Sequence, residues 1–288
     1  MSEKPLLGVI GGSGLYQFPA LENIKRIESD TPFGKPSSPI VIGTLAGKKV
    51  AFLARHGIGH IFLPAEVNYR ANIYALKQLG VERIISISAC GSLREDFSPG
   101  HIVIPDQLVD FTKNRSYTFF GEGIVAHVGV AEPFCHELRK HLIQSVKAAG
   151  GTVHSNGTYI TIEGPRFSTK AESSLYRQWG MSIIGMTAIP EAFLAREAEI
   201  CYATMAHVTD YDVWHENESP VTVEMVVKIL NQNTEIAQKA ILKLVEMLPT
   251  KTECECHNAL SNAILTQKKS ISPKARKKLD LLINKYIN

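Results

Sequence analysis

Apolar runs short enough to be strands recur along the chain with stretches of helical spacing between them, and this alternation limits the fold more than any other feature. Residues 6–10, 40–45, 49–54, 81–88, 102–104, 158–162, 182–186 and 200–208 read as buried strands. Helical spacing fills 64–80, opened by Pro64 and closed by Gly80, and then 133–149, 170–179, 191–199 and 221–247. Composition does not shift where strand gives way to helix. The expected class is therefore α/β, one domain over 1–249 followed by a basic helical extension over 250–288.

In open α/β sheets a ligand lies beyond the carboxyl ends of the strands. Those ends carry Gly12-Ser13, Arg55-His56, Ser88-Ala89, Met186-Thr187 and the pair Asp210 and Asp212. The first four suit an oxyanion. Glycine lets backbone N–H groups approach, the hydroxyls of Ser13, Ser88 and Thr187 can donate, His56 adds a donor, and Arg55 is suited to two parallel charge-assisted bonds. Residues 11–14 fit neither G-x-G-x-x-G nor a P-loop. Taken singly, each strand end reads as an ordinary turn; the signal is their coincidence.

Asp210 and Asp212 follow the run 200–208 through Thr209. Residues i and i+2 of an extended chain share a face, so both carboxylates are expected to meet one ligand. An anion site facing two acids suits transfer of a sugar from a nitrogen heterocycle to phosphate. Phosphate attacks the sugar carbon, and an aspartate whose pKa is lifted by burial and by its neighbouring acid protonates the leaving base. A 6-amino purine offers a donor to the second carboxylate. A 6-oxo purine would set acceptor against acceptor.

The formal charge is only +3, and seven of the 31 basic residues but one of the 28 acidic residues lie from Lys268 onward. The body is thus slightly acidic, which argues against nucleic acid as a partner. No run approaches the length of a membrane span, so no membrane partner is expected. Neither H-E-x-x-H nor G-x-S-x-G occurs. Cys135 and Cys201 read as buried free thiols. Cys254, Cys256 and His257 place ligand-type residues together, but with no second cluster nearby in sequence, so no metal is expected.

The blocks G-V-I-G-G-S-G-L-Y (8–16), T-P-F-G-K-P-S (31–37), A-R-H-G (54–57), S-A-C-G-S-L-R-E (88–95), A-E-P-F-C (131–135), T-I-E-G-P-R-F-S (161–168), G-M-T-A-I-P-E (185–191) and T-D-Y-D-V-W (209–214) occur in this order. Together they resemble the trimeric purine nucleoside phosphorylase family over roughly residues 5–248. The resemblance implies a single-domain mixed twisted sheet flanked by helices. It also implies reversible phosphorolysis of 5′-methylthioadenosine to adenine and 5-methylthioribose-1-phosphate, without a cofactor and with inorganic phosphate as co-substrate. The alternative it leaves is action on adenosine or 6-oxopurine nucleosides. A homotrimer, or a pair of trimers, in the cytoplasm is the implied assembly.

Carried over residue by residue, the resemblance assigns phosphate to Ser13, Arg55, His56, Ser88, the backbone of Ala89, and Thr187. It sets Phe167 on the purine ring, Asp210 at N7 and Asp212 at the exocyclic amine. Met186 and His60 fall to the ribose, Val223, Val226 and Val227 to the methylthio end, and His127 comes from a neighbouring subunit. Ala188 stands where many members have a second threonine.

Overall fold

Two ten-residue strands, β5 (Arg83–Ser92) and β11 (Cys201–Asp210), form the spine of the sheet. They run parallel, in register from Cys201 opposite Arg83 to Asp210 opposite Gly91, with an irregularity between Val208 and Asp210. Every residue of β11 is buried, as expected of a parallel strand covered on both faces. A computed structural model describes residues 4–12, 15, 18–215, 222–251 and 253–287, and for 225–233 it describes the backbone.

The other strands are β1 (Leu7–Gly11), β2 (Glu22–Ile27), β3 (Ile40–Leu45), β4 (Lys48–Ala54), β6 (Ile102–Val103), β7 (Gln107–Phe111), β8 (Val153–His154), β9 (Thr158–Ile162) and β10 (Ile183–Gly185). They join one mixed sheet of 11 strands in the order β2-β3-β4-β1-β5-β10-β9-β7, with β11, β6 and β8 branching from β5. The branch matters for the site. On the side of β5 away from β11, β1 pairs with Ile84–Ser86 and antiparallel β10 pairs with Gly91 and Ser92. Residues 87–90 therefore have no strand neighbour on that side among the described residues, and a crevice opens where the two strands part.

Helices α1 (Tyr69–Gln78), α2 (His136–Ala148), α3 (Lys170–Gln178), α4 (Ala188–Glu197), α5 (Val223–Met247) and α6 (Pro273–Ile287) cover the sheet. Helix α1 begins later than Pro64 suggests. Asn68 caps it by accepting from the Ala71 N–H, and Pro64 instead accepts from the Tyr69 hydroxyl. A capping box, Thr169 with Glu172, starts α3.

Helix α6 buries Ala275, Leu279, Leu282, Ile283 and Ile287. These belong to the same apolar cluster as Tyr74, Leu76 and Phe119. The basic residues of this helix lie outward, Lys278 pairing with Glu122 and Lys285 bonding to the His257 carbonyl. Three strands escape the sequence pattern, and the shortest of them, β8, has two half-buried residues. β2 lies at the sheet edge and is exposed almost throughout, and β7 is half-buried or exposed along its length, so neither carries an apolar alternation. No described helix is long and apolar enough to cross a membrane.

Candidate active site

Asp210 is the last residue of β11 and lies over Gly91 of β5. A Cβ at Gly91 would come within 2.9 Å of Asp210 Oδ1 and 3.3 Å of Asp212 Cβ, so only glycine leaves room for both acids. The Thr209 hydroxyl donates to Asp210 Oδ2 at 2.6 Å, and the Asp212 N–H donates to Oδ1 at 2.8 Å. Burial lifts the Asp210 pKa to about 6 against the pull of these two donors.

The pair does not share a strand face, as an extended reading expects. Asp212 has φ +51°, and its N–H folds back onto Asp210, so the chain turns between them. The two carboxylates are consequently unequal. Asp212 is buried, and its Oδ2 has no hydrogen-bond partner among the described residues, nor do the hydroxyls of Ser168 and Ser173. Burial raises the Asp212 pKa, and the nearby Ser173 and Ser168 hydroxyls oppose the rise. An acceptor left open in a buried place is what a ligand donor requires.

Across the crevice, Arg55 follows β4 and is almost wholly buried. Its fork is occupied by protein, which corrects the expectation of a bidentate phosphate contact. Nε donates to Glu191 Oε2 at 2.8 Å and Nη2 to Glu191 Oε1 at 3.0 Å, with further bonds to Ser86 Oγ and the Ile10 carbonyl from Nη2 and to the Ile87 carbonyl from Nη1. One Nη1 N–H remains without an acceptor among the described residues. Burial works against the Arg55 charge, but Glu191 outweighs it and holds the pKa above the ordinary value.

His56 also departs from expectation. Its Nδ1 faces the Phe62 carbonyl at 2.9 Å, so Nδ1 carries the proton. Burial and then the Arg55 charge lower the pKa to about 4, so the ring is neutral near pH 7 and Nε2 is an acceptor rather than a donor. The ring stacks on His60, centroids 4.3 Å apart. Such an Nε2 matches a protonated oxygen of phosphate.

The Ser88 hydroxyl and the Tyr159 hydroxyl are buried without hydrogen-bond partners among the described residues. Burial raises the Tyr159 pKa above its ordinary value, and the nearby Ser88 and Thr187 hydroxyls oppose the rise. Gly185 leaves room for the Tyr159 hydroxyl, since a Cβ there would sit 2.1 Å from it. Thr187 precedes α4, whose second residue, Ile189, is extended (φ −112°, ψ 134°), and makes no side-chain capping bond, which leaves its hydroxyl available. Ala89 lies on the stretch of β5 that β1 and β10 leave open.

Arg115, unremarked in the sequence, donates to the carbonyls of Met186 and Glu163 at 2.8 Å each and so pins the chain that leads into Thr187. Glu191 and Tyr159 were equally invisible. A glutamate on a helix reads as surface and a tyrosine in an apolar strand as core.

The remaining expected residues are spread more widely. Phe167 is 37% exposed beside Ser168. His127 is exposed, with its N–H bonded to the Ala263 carbonyl. Val223 is 62% exposed. No described contact links His127 or Val223 to the aspartates or to Arg55. Ser13 and the side chains of Val226 and Val227 lie outside the described residues.

The candidate site therefore holds a buried acid of raised pKa, an unpartnered carboxylate oxygen beside it and unpartnered buried hydroxyls on β5 and β9. Residues 6–246 match the model of the Phosphorylase superfamily, and the chain belongs to that family. It is 54% identical over 280 residues to the S-methyl-5'-thioadenosine phosphorylase of Koribacter versatilis, covering 97% of this chain and 96% of that one. It is 52% identical to the enzyme of the same name from Geobacter sulfurreducens, covering 99% and 100%. Among solved structures, a methylthioadenosine phosphorylase from an antarctic soil metagenomic library superimposes with a TM-score of 0.93 at 48% identity, covering 97% and 99%. The methylthioadenosine phosphorylase of Schistosoma mansoni in complex with adenine gives 0.84 at 37% identity, covering 89% and 98%.

Proposed function

We propose that this chain catalyses the reversible phosphorolysis of S-methyl-5'-thioadenosine to adenine and 5-methylthioribose-1-phosphate, a pentosyl transfer that feeds purine and methionine salvage. The observation that carries the mechanism is Asp210, a carboxyl with a pKa of about 6 at the mouth of the β5 crevice. Phosphate sits against Ser88, the Ala89 backbone, Thr187, the one open Arg55 N–H, His56 Nε2 and Ser13. It attacks C1′ as the bond to the purine breaks. Asp210 then gives its proton to N7, so the base leaves neutral. Phe167 covers the purine, Met186 and His60 border the ribose, and Val223, Val226 and Val227 receive the methylthio group.

His127, solvent-facing in one chain, is completed into a site by a neighbouring subunit of a homotrimer. The reaction needs phosphate as co-substrate and no cofactor, and we place the enzyme in the cytoplasm. Adenine release from S-methyl-5'-thioadenosine measured with and without inorganic phosphate tests the reading. Release that depends on phosphate is expected. Full release without phosphate would establish a hydrolase instead.

Base choice falls to Asp212, whose open Oδ2 accepts from a 6-amino group and repels a 6-oxo group. A buried mismatch costs about 1–3 kcal/mol, close to tenfold or more in selectivity. In Asp212→Asn the amide can donate to O6, so the ratio of kcat/KM for inosine to that for adenosine is expected to rise about tenfold or more. An unchanged ratio removes Asp212 from the selector role.

A further inference from the structure

The sequence argues against a metal because Cys254 and Cys256 lack a second pair of ligands nearby. The fold supplies that pair. The Sγ atoms of Cys135, Cys201, Cys254 and Cys256 all lie within 4.8 Å of one another, and Cys135 and Cys254 are 3.6 Å apart. Cys135 caps the start of α2, and Cys201 opens β11. A bond from the Cys135 N–H to the Tyr202 carbonyl at 2.8 Å stitches those two segments together. The Cys-x-Cys turn then closes over them from the C-terminal side.

We propose that these four cysteines form a structural zinc site. Tetrahedral zinc–thiolate bonds of about 2.3 Å set sulfur atoms about 3.8 Å apart, so the cluster closes around the ion with only small movements. Four thiols binding one divalent ion release four protons and leave a net charge of 2−. The surroundings are built for that charge. Arg196 Nη1 donates to Cys256 Sγ at 3.4 Å, and the Leu138 N–H donates to Cys135 Sγ at 3.4 Å. His257 Nε2 lies 3.5 Å from Cys201 Sγ.

Arg83 is buried, its Nη2 has no partner among the described residues, and it lines one cleft with Cys135 and Cys201. Neutral thiols or a disulfide would leave Arg196 donating to uncharged sulfur; a tetrathiolate zinc gives it a counter-charge, with Arg83 nearby. A cleft lined by Arg83, Cys135, Glu137, His141, Cys201 and Glu253 offers an entry path for a cation. All-sulfur coordination fills the ion's four positions and leaves none for substrate, so the site clips the C-terminal segment to the body and takes no part in the reaction.

The test is metal analysis of the full-length chain purified under reducing conditions. About one zinc per chain is expected, retained on gel filtration and released by a mercurial thiol reagent. All five cysteines should titrate as thiols after denaturation. The double variant Cys254→Ser with Cys256→Ser should drop below about a tenth of a zinc per chain and melt at lower temperature. Cobalt(II) in place of zinc should give the visible spectrum of a tetrahedral tetrathiolate. A wild-type chain free of zinc, whether its thiols are free, paired as disulfides or bound to iron, overturns the proposal, and that result stands even if the double variant fails to fold.

Discussion

Asp210→Asn is expected to lower kcat about a hundred- to ten-thousand-fold, the range by which a positioned general acid acts, without unfolding the chain. The amide keeps the shape of the carboxyl and can still meet the Asp212 N–H through its oxygen. Thr209 Oγ1 already reaches the Cys90 carbonyl at 3.2 Å, so its hydroxyl can turn there and accept from the new NH2. What the amide cannot do is give up a proton.

The pH dependence carries the same signature. In the wild type, Asp210 is protonated below a pKa of about 6, so kcat/KM is expected to fall as pH rises through that value. The group's ordinary pKa is 3.8, and the folded value lies above it. Its contribution to stability is therefore full below pH 3.8 and is lost as pH rises through about 6. That amounts to about 3 kcal/mol at most, at 1.36 kcal/mol for each pKa unit. The variant escapes this penalty and should melt no lower than wild type at pH 8. Calorimetry with a kcat/KM profile from pH 5 to 9 measures both effects. A loss under tenfold with an unaltered profile would take the acid role from Asp210.

Glu191→Ala is expected to destabilise the protein by about 3–5 kcal/mol, the usual consequence of stranding one member of a buried ion pair. Glu191 is fully buried. It holds Arg55 through two bonds and accepts from the Tyr202 hydroxyl at 2.8 Å. Without it nothing fixes where the guanidinium's one open N–H points, and the contact that meets phosphate is misplaced. The KM for phosphate should then rise more than kcat falls, a split that general loosening does not produce. Glu191→Gln keeps the shape and loses only the charge, so it should fall between wild type and alanine and serves if the alanine variant does not fold. A denaturant midpoint equal to wild type, with an unchanged phosphate KM, would show that Glu191 does not hold Arg55.

Much of the site was legible because strand ends can be read from apolar runs. Ser88, Thr187, Asp210 and Asp212 stand out because each lies at or just past the end of an apolar run. The residues that hold them are silent in the same text. Glu191 lies 136 positions from Arg55, and nothing local to either predicts the pair. Tyr159 is a core residue by every local measure, yet its hydroxyl lies with Ser88 and Thr187. The protonation of His56 depends on a carbonyl six residues away, which turns the expected donor into an acceptor. Edge strands β2 and β7 carry no apolar alternation because an exposed strand needs none, and two-residue β8 is too short to show one.

By itself the sequence determined the α/β alternation, the strand ends that border the candidate site and the placement of two acids at the end of β11. It could do so because period and polarity are local properties. The tertiary structure decided which groups stay free to act. It occupied most of Arg55 with Glu191, turned Asp212 out of line with Asp210 and left its Oδ2 open. It also opened β5 between β1 and β10 and brought four distant cysteines within 4.8 Å. Those outcomes depend on burial and on partners far apart in the chain, and desolvation and hydrogen-bond saturation are set only once the chain has packed.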